Sequence, residues 1–274
     1  MTLVPTPAID WNEATDSLLA PLLTASRLGL VTDVDGTISP IVNQPEAAQV
    51  TPRSRELLAA LADKLALVGV ISGRAVADVQ ARVGISTLVY VGNHGLERWA
   101  NGRVEVTPEA QKYRPALEAV AEGVRDHLLP GMQIEDKGAT YSIHYRNVAD
   151  PGHAEAELTP LLQRLTTQHA IRLFQGRMIF ELRPPLDIDK GTAFDALVRD
   201  YRLDAAIYLG DDTTDADALR ACKRLRAAKT CYAIGLGVVA DETPAAVIES
   251  ADVLAHGIPQ VEAFLNWLNF QREN

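Results

Sequence analysis

The sequence predicts an α/β protein: a doubly wound parallel-sheet core with a smaller α+β segment inserted between its halves. Three observations predict it. Short apolar runs at 28–32, 65–71, 87–91 and 205–209 suit strands of a parallel sheet covered on both faces. Each run ends in a polar, glycine-bearing turn, at the strand end where open α/β sheets bind ligands. Between about 107 and 186 the strand–helix alternation gives way to an αββαββ order, which marks an insertion.

Residues 8–25 are predicted to form an amphipathic helix with Leu18, Leu19, Leu22 and Leu23 on one face. Pro21 would kink or break it. The first strand ends in Asp33 and Asp35. Residues two apart in extended chain point to the same side, so both carboxylates can reach one site. Their mutual repulsion calls for a cation, and oxygen-only ligands suit Mg2+. Gly36 permits a sharp departure of the backbone. An ordinary Asp-rich turn would explain this stretch in isolation; the later segments weigh against it. A loop is predicted over 40–52. Thr51 and Pro52 then start a helix as N-cap and first helical residue, with Leu57, Leu58 and Leu61 as its buried stripe.

The second run ends in Ser72, Gly73 and Arg74, just before another helix. A hydroxyl with free backbone N–H groups at a helix start makes a phosphate cradle. The third run leads into Gly92-Asn93-His94-Gly95-Leu96-Glu97, whose glycines predict a tight turn exposing Asn93 and His94 at the same sheet edge. Within the insertion, helices are predicted at 108–129 and 151–169. Strands at 133–137 and 140–146 meet near Gly138, and strands at 171–174 and 178–182 meet at Gln175-Gly176. Glu135 and Lys137 share a face by the strand period, and Glu181 lies on the insertion's last strand.

Asp189-Lys190-Gly191 opens a helix that carries Phe194, Leu197 and Val198. A lysine conflicts with the positive end of a helix, and a bound anion would remove the conflict. The fourth run ends in Gly210, followed by Asp211, Asp212, Asp215 and Asp217. So many carboxylates at the end of a buried strand form a candidate site. A fifth strand at 230–234 runs into 235–239, then come a helix from 243, a short strand at 251–254 and a closing helix at 258–270. Phe264, Trp267 and Leu268 give that last helix its packing face.

A chain of 274 residues can bury a sizeable core and hold one large domain or two smaller ones. Its net charge of −10, spread along the chain, counts against a nucleic-acid partner and against an anionic membrane. A phosphate substrate would need positive charge supplied locally. Cys222 and Cys231 form no Cys-x-x-Cys pair and no His/Cys cluster, which predicts buried thiols in a cytoplasmic protein. No signal pattern is present, and no apolar run approaches the ~18 residues of a membrane span.

Residues 33–42 read Asp-x-Asp-Gly-Thr-x-Ser-Pro-Ile-Val. Together with Ser72-Gly73-Arg74, Lys190 and Gly210-Asp211-x-x-x-Asp215, they resemble the four motifs of haloacid-dehalogenase-like phosphohydrolases. The long first motif and the Gly-Asn-His-Gly-Leu-Glu turn resemble trehalose-6-phosphate phosphatases in particular. The likeness runs from about residue 28 to about residue 254. It implies a Rossmann-like core made of residues 1–106, including the N-terminal helix, and 187–274, with an inserted αββαββ cap domain at 107–186. It also implies Mg2+-dependent hydrolysis of trehalose 6-phosphate through an aspartyl-phosphate. Asp33 would then be the nucleophile and Asp35 the general acid and base. Ser72, Gly73 and Lys190 would bind phosphate. Asp33, Asp211 and Asp215 would hold the metal, with Asp35 contributing its backbone carbonyl. Arg74, Asn93, His94, Glu135, Lys137 and Glu181 would contact the small-molecule sugar phosphate, and a trehalose-6-phosphate synthase is the candidate partner.

Family members usually read Thr-Asp-Glu-Asp where this chain has Thr214-Asp215-Ala216-Asp217. The missing acidic side chain bears on the substrate and leaves the phosphatase chemistry intact. A phosphatase of another glycosyl phosphate, such as glucosyl- or mannosyl-3-phosphoglycerate, would share the core and differ in the cap. A catalytically silent sugar-phosphate sensor stands further off, because Asp33, Asp35, Ser72, Lys190 and Asp211 are all present.

Overall fold

Where the sequence predicts one helix over 8–25, the computed structural model, which describes residues 8–42, 48–176 and 178–272, shows three short pieces. Strand β1 (Ile9–Asp10) precedes a 3-10 turn at Trp11–Ala14 and the one-turn helix α1 (Ala20–Leu23). Pro21 lies in the first turn of α1, the one helical place where its missing N–H costs nothing. The leucines pack inward all the same, with Leu19 and Leu22 fully buried.

Strand β2 (Leu28–Thr32) is buried along its whole length. Of the loop predicted over 40–52, residues 43–47 lie outside the described residues. Helix α2 (Pro52–Ala62) starts as predicted, with Thr51 Oγ1 accepting the Ser54 N–H at 3.1 Å. Then come β3 (Leu67–Ile71), α3 (Val76–Val83), β4 (Val89–Gly92) and β5 (Glu97–Ala100). Next are β6 (Arg103–Val106), α4 (Pro108–Gln111), α5 (Arg114–Arg125), β7 (Gln133–Asp136) and β8 (Tyr141–His144). Helix α6 (Pro151–His169) leads to β9 (Arg172–Gly176) and β10 (Ile179–Arg183). Gln175 and Gly176, predicted as the turn, are strand residues opposite Phe180 and Ile179. Met178 adopts the positive φ of 60° beyond them, so the reversal does not fall on that glycine.

The chain continues through α7 (Lys190–Asp200), β11 (Ala205–Gly210), α8 (Asp215–Ala227) and β12 (Tyr232–Val239). It ends in α9 (Ala245–Ser250), β13 (Val253–His256) and α10 (Gly257–Gln271). Segments 230–234 and 235–239 thus belong mostly to one strand.

Two compact units result: Met1–Asn101 with Ile188–Asn274, and Gly102–Asp187. In the first, strands lie in the order β1-β13-β12-β11-β2-β3-β4-β5, parallel throughout except for β4 against β5. Apart from β1 at the edge, chain order runs outward from β2 in both directions. The carboxyl ends of β2, β3 and β11 therefore frame a crevice at a topological switch point. Side chains of β2 alternate between two cores. Leu28 and Leu30 join Leu58, Leu61, Phe264 and Leu268 on one face. Val31 joins Phe194, Leu197, Leu219 and Cys222 on the other. Both cysteines are buried and free. No described helix is long and apolar enough to cross a membrane.

The second unit holds an antiparallel sheet in the order β7-β8-β10-β9. Ile143, Phe180 and Leu182 pack with Leu117, Val124, Leu158 and Leu162 of α5 and α6. Alternate residues point away from that core. Glu135, Ser142, Glu181 and Phe174 follow one another in register across the four strands.

Candidate active site

Asp33 takes its place because the backbone pairing of β2 and β11 continues one residue past the strand. Its N–H donates to the Leu209 carbonyl at 2.9 Å. The chain then coils tightly, with the Val34 carbonyl accepting the Ile38 and Ser39 N–H groups. Gly36 adopts φ +81°, and a Cβ there would overlap the Asp211 carboxylate. Only glycine fits both demands. Thr37 Oγ1 donates to Asp211 Oδ1 at 3.0 Å, tying the first motif to the end of β11.

Lys190 is the centre of charge. It is 3% exposed, and its Nζ lies 3.0 Å from Asp33 Oδ1 and 2.7 Å from Asp215 Oδ1. The conflict with the α7 helix start is met here by two of the protein's own carboxylates. Burial alone would lower the Lys190 pKa, but Asp215 and Asp33 hold it raised. Asp189 and Thr192 cap α7 reciprocally, which fixes where Lys190 leaves the backbone.

Asp33, Asp211 and Asp215 each bring a carboxylate oxygen within 4.8 Å of the others. Burial raises the Asp33 pKa well above the ordinary 3.8; Lys190 opposes the rise, while Asp215 and Asp211 add to it. Burial and then Asp215 push Asp211 up to about 7. Three close carboxylates facing one lysine are short of positive charge, so the donor set fits a hard divalent cation. Asp215 is the most committed of the three. Its Oδ1 accepts from Lys190 and, at 2.6 Å, from the Tyr208 hydroxyl; its Oδ2 accepts the N–H groups of Asp211 and Asp212. Asp217 pairs instead with Arg220, outside the cluster.

Asp35 parts company with Asp33. The strand has ended by then, so the period of two no longer applies. Both Asp35 oxygens accept from the Arg74 guanidinium, at 2.6 and 2.9 Å, and its carboxylate does not join the three-carboxylate cluster. Arg74, expected as a sugar contact, places its donors on Asp35 and on Asp78.

The ends of β3 and β4 are stitched together. The His94 N–H donates to the Ser72 carbonyl at 2.9 Å, and the Asn93 N–H to the Arg74 carbonyl at 2.8 Å. Gly73 lies against the His94 imidazole, where a Cβ would come within 2.6 Å of Nε2. Asn93 and His94 do form a tight turn, at φ 47° and 58°. The turn buries both side chains, at 0% and 7%, where exposure was expected. Packing on the Ser72 loop is the reason. The phosphate cradle at α3 is also partly filled, since the Val76 N–H donates to the buried Glu97 carboxylate. A carboxylate at the positive end of a helix is favourable. Glu97 ends the Gly-Asn-His-Gly-Leu-Glu segment, so its signal was in the motif. Tyr208, inside an apolar strand, gave none.

In the inserted unit, Lys137 Nζ lies 3.6 Å from Glu181 and 4.0 Å from Glu135. His144 Nε2 is 2.9 Å from Glu135, and Arg183 pairs closely with Glu181 while lying over the Phe174 ring at 4.5 Å. These residues gather on the sheet face opposite α5 and α6, with Lys137 and Glu181 each 11% exposed.

The fold, a parallel sheet with a crevice at its switch point, is shared with a haloacid-dehalogenase-like hydrolase from Bacteroides thetaiotaomicron (TM-score 0.62, 16% identity, 88% of this chain and 99% of that one). The C-terminal domain of the Candida albicans trehalose-6-phosphate phosphatase superposes with TM-score 0.76 at 22% identity, covering 97% of this chain and 99% of that chain. Residues 31–245 match the trehalose-phosphatase family model, and the chain belongs to that family. A trehalose-phosphate phosphatase from Mycobacterium tuberculosis H37Rv is 37% identical over 209 residues, 73% of this chain and 52% of the relative. The Mycobacterium leprae protein of the same name is 36% identical over 215 residues, 73% of this chain and 49% of that one. This chain spans about half the length of these curated relatives.

Proposed function

We propose that this chain hydrolyses trehalose 6-phosphate to trehalose and inorganic phosphate with the help of a divalent cation, Mg2+. The observation that carries the reading is Asp33 at the sheet's switch point, 3.0 Å from Lys190 and clustered with Asp211 and Asp215. A phosphate monoester is doubly charged and repels a carboxylate, so positive charge must be in place before attack. Lys190 and the Ser72-Gly73 turn supply part of it. Asp33, Asp211 and Asp215, with the Asp35 carbonyl, would hold Mg2+, which when bound neutralises phosphate oxygens. Asp33 attacks phosphorus; the Asp33–phosphorus bond forms as the bond to the sugar oxygen breaks. Asp35 gives that oxygen its proton, then takes one from the water that cleaves the aspartyl-phosphate. Glu135, Lys137 and Glu181 contact the substrate through glucose hydroxyls, which both donate and accept hydrogen bonds, while the buried Asn93 and His94 support the Ser72-Gly73 turn from behind.

The reading carries a cytoplasmic setting, which suits two buried free thiols. It also carries a trehalose-6-phosphate synthase as the partner that supplies substrate. The departure at Ala216 favours testing other glycosyl phosphates beside trehalose 6-phosphate. Phosphate release over a panel of sugar phosphates, with and without Mg2+, should peak on trehalose 6-phosphate and stop in excess chelator. Preference for a glycosyl-3-phosphoglycerate would replace the substrate, and no release from any ester would sink the enzyme reading.

A further inference from the structure

Behind Asp35 stands a line of alternating charges. Arg74 Nε and Nη2 hold the two Asp35 oxygens at 2.6 and 2.9 Å, and Nη1 donates to Asp78 Oδ2 at 3.0 Å. Asp78 lies on the first turn of α3. Both its oxygens accept from Arg82 Nε, each at 2.8 Å. Arg82 Nη1 then donates to the Ala48 carbonyl at 2.7 Å, anchoring the line on the segment before α2. Arg74, Asp78 and Arg82 follow one another at i, i+4 spacing, with the arginine side chains 17% and 16% exposed.

Stability is a weak reason for such a line, since the Asp35 and Asp78 side chains are 35% and 38% exposed and solvent screens their pairs. Direction is a better one. A guanidinium is a planar fork that matches a carboxylate through two parallel hydrogen bonds, so fixing its plane fixes the plane of the partner. We propose that Arg74, braced by Asp78 and Arg82, is a positioning residue that sets the direction of the Asp35 carboxylate. This rests on the phosphatase reading above and replaces the sugar contact that the family resemblance implied for Arg74. In its acid role Asp35 would carry the proton on one oxygen, whose remaining lone pair can still accept from the fork, so both oxygens stay held. Asp35 must face first the sugar oxygen and then a water, and misplacement by about 1 Å can cost about a hundredfold in rate.

The test uses Asp78, which touches no reacting atom. Asp78→Asn should lower kcat on trehalose 6-phosphate about tenfold to a hundredfold with KM little moved. The loss on p-nitrophenyl phosphate should be clearly smaller, because that leaving group needs little protonation. Asp78→Glu should recover part of the rate. In parallel, 15N spectra should give a sharp, slowly exchanging Arg74 Nε–H signal that broadens in Asp78→Asn. An equal loss on both substrates, or an Arg74 signal untouched by the substitution, would overturn the proposal. A wild-type chain that hydrolyses no phosphate ester would sink the proposed function instead, and the spectra would still decide whether Asp78 holds Arg74.

Discussion

Two clusters in this molecule pair acids with lysine, and they differ in what surrounds them. Around Lys190, the Asp33 and Asp215 side chains are 7% and 0% exposed, with Asp211 close by. Around Lys137, Glu135 is half exposed, while Lys137 and Glu181 are each 11% exposed on the sheet face opposite α5 and α6. The first cluster is short of positive charge in a place water cannot relieve, so Asp33 and Asp211 are pushed toward the protonated form. The second alternates carboxylates with Lys137, His144 and Arg183 beside an aromatic ring. In the proposed reading the first holds a metal and a phosphate, and the second takes the hydroxyls of the sugar.

The largest effect should come from the buried cluster. Asp33→Asn should keep the fold and abolish turnover, because an amide cannot form the phosphoenzyme. Near-normal phosphate release by that variant would remove the nucleophile and with it the contrast between the clusters.

A smaller effect follows from protons. The ordinary aspartate value is 3.8, while in the folded chain Asp33 stands well above it and Asp211 at about 7. The folded state therefore binds protons that the unfolded chain releases, and these groups cost the metal-free protein stability as pH rises from about 4 through about 7. Added Mg2+ should accordingly raise Tm by more at about pH 8 than at about pH 5. A Tm indifferent to Mg2+ across that range would leave the charge shortage without a cation.

The smallest effect belongs to the Lys137 cluster. Lys137→Ala and Glu181→Gln should each lower kcat/KM for trehalose 6-phosphate about tenfold to a hundredfold, the cost of about 1–3 kcal/mol for a lost buried contact. Hydrolysis of p-nitrophenyl phosphate, which has no sugar, should hold nearly constant. If both substrates fall together, the face maintains its own unit and does not read sugar.

Most of the core was legible because its rule is local. Apolar runs such as 28–32 and 205–209 became strands, and their polar ends became the crevice. The misses arose where a distant partner decides. Nothing near Ile9 announces that it pairs with Val253, so β1 read as helix. Asn93 and His94 were legible as a turn, yet their burial depends on the Ser72 loop. Asp35 obeys Arg74, and Tyr208 obeys Asp215, through side chains whose meeting no spacing encodes.

The pairing of β2 with β11 sets a timing problem for the chain. The register joins Leu28 to Ala205, and the whole of Gly102–Asp187 lies between them. Non-local parallel pairing is slow because loop closure must precede any reward. The inserted unit has the opposite character, with β7 and β8 adjacent in sequence and β9 beside β10. Its contacts can form early and shorten the effective loop before β2 finds β11. A destabilised insert would then show its damage first as slow, aggregation-prone refolding of a crevice it does not itself contain.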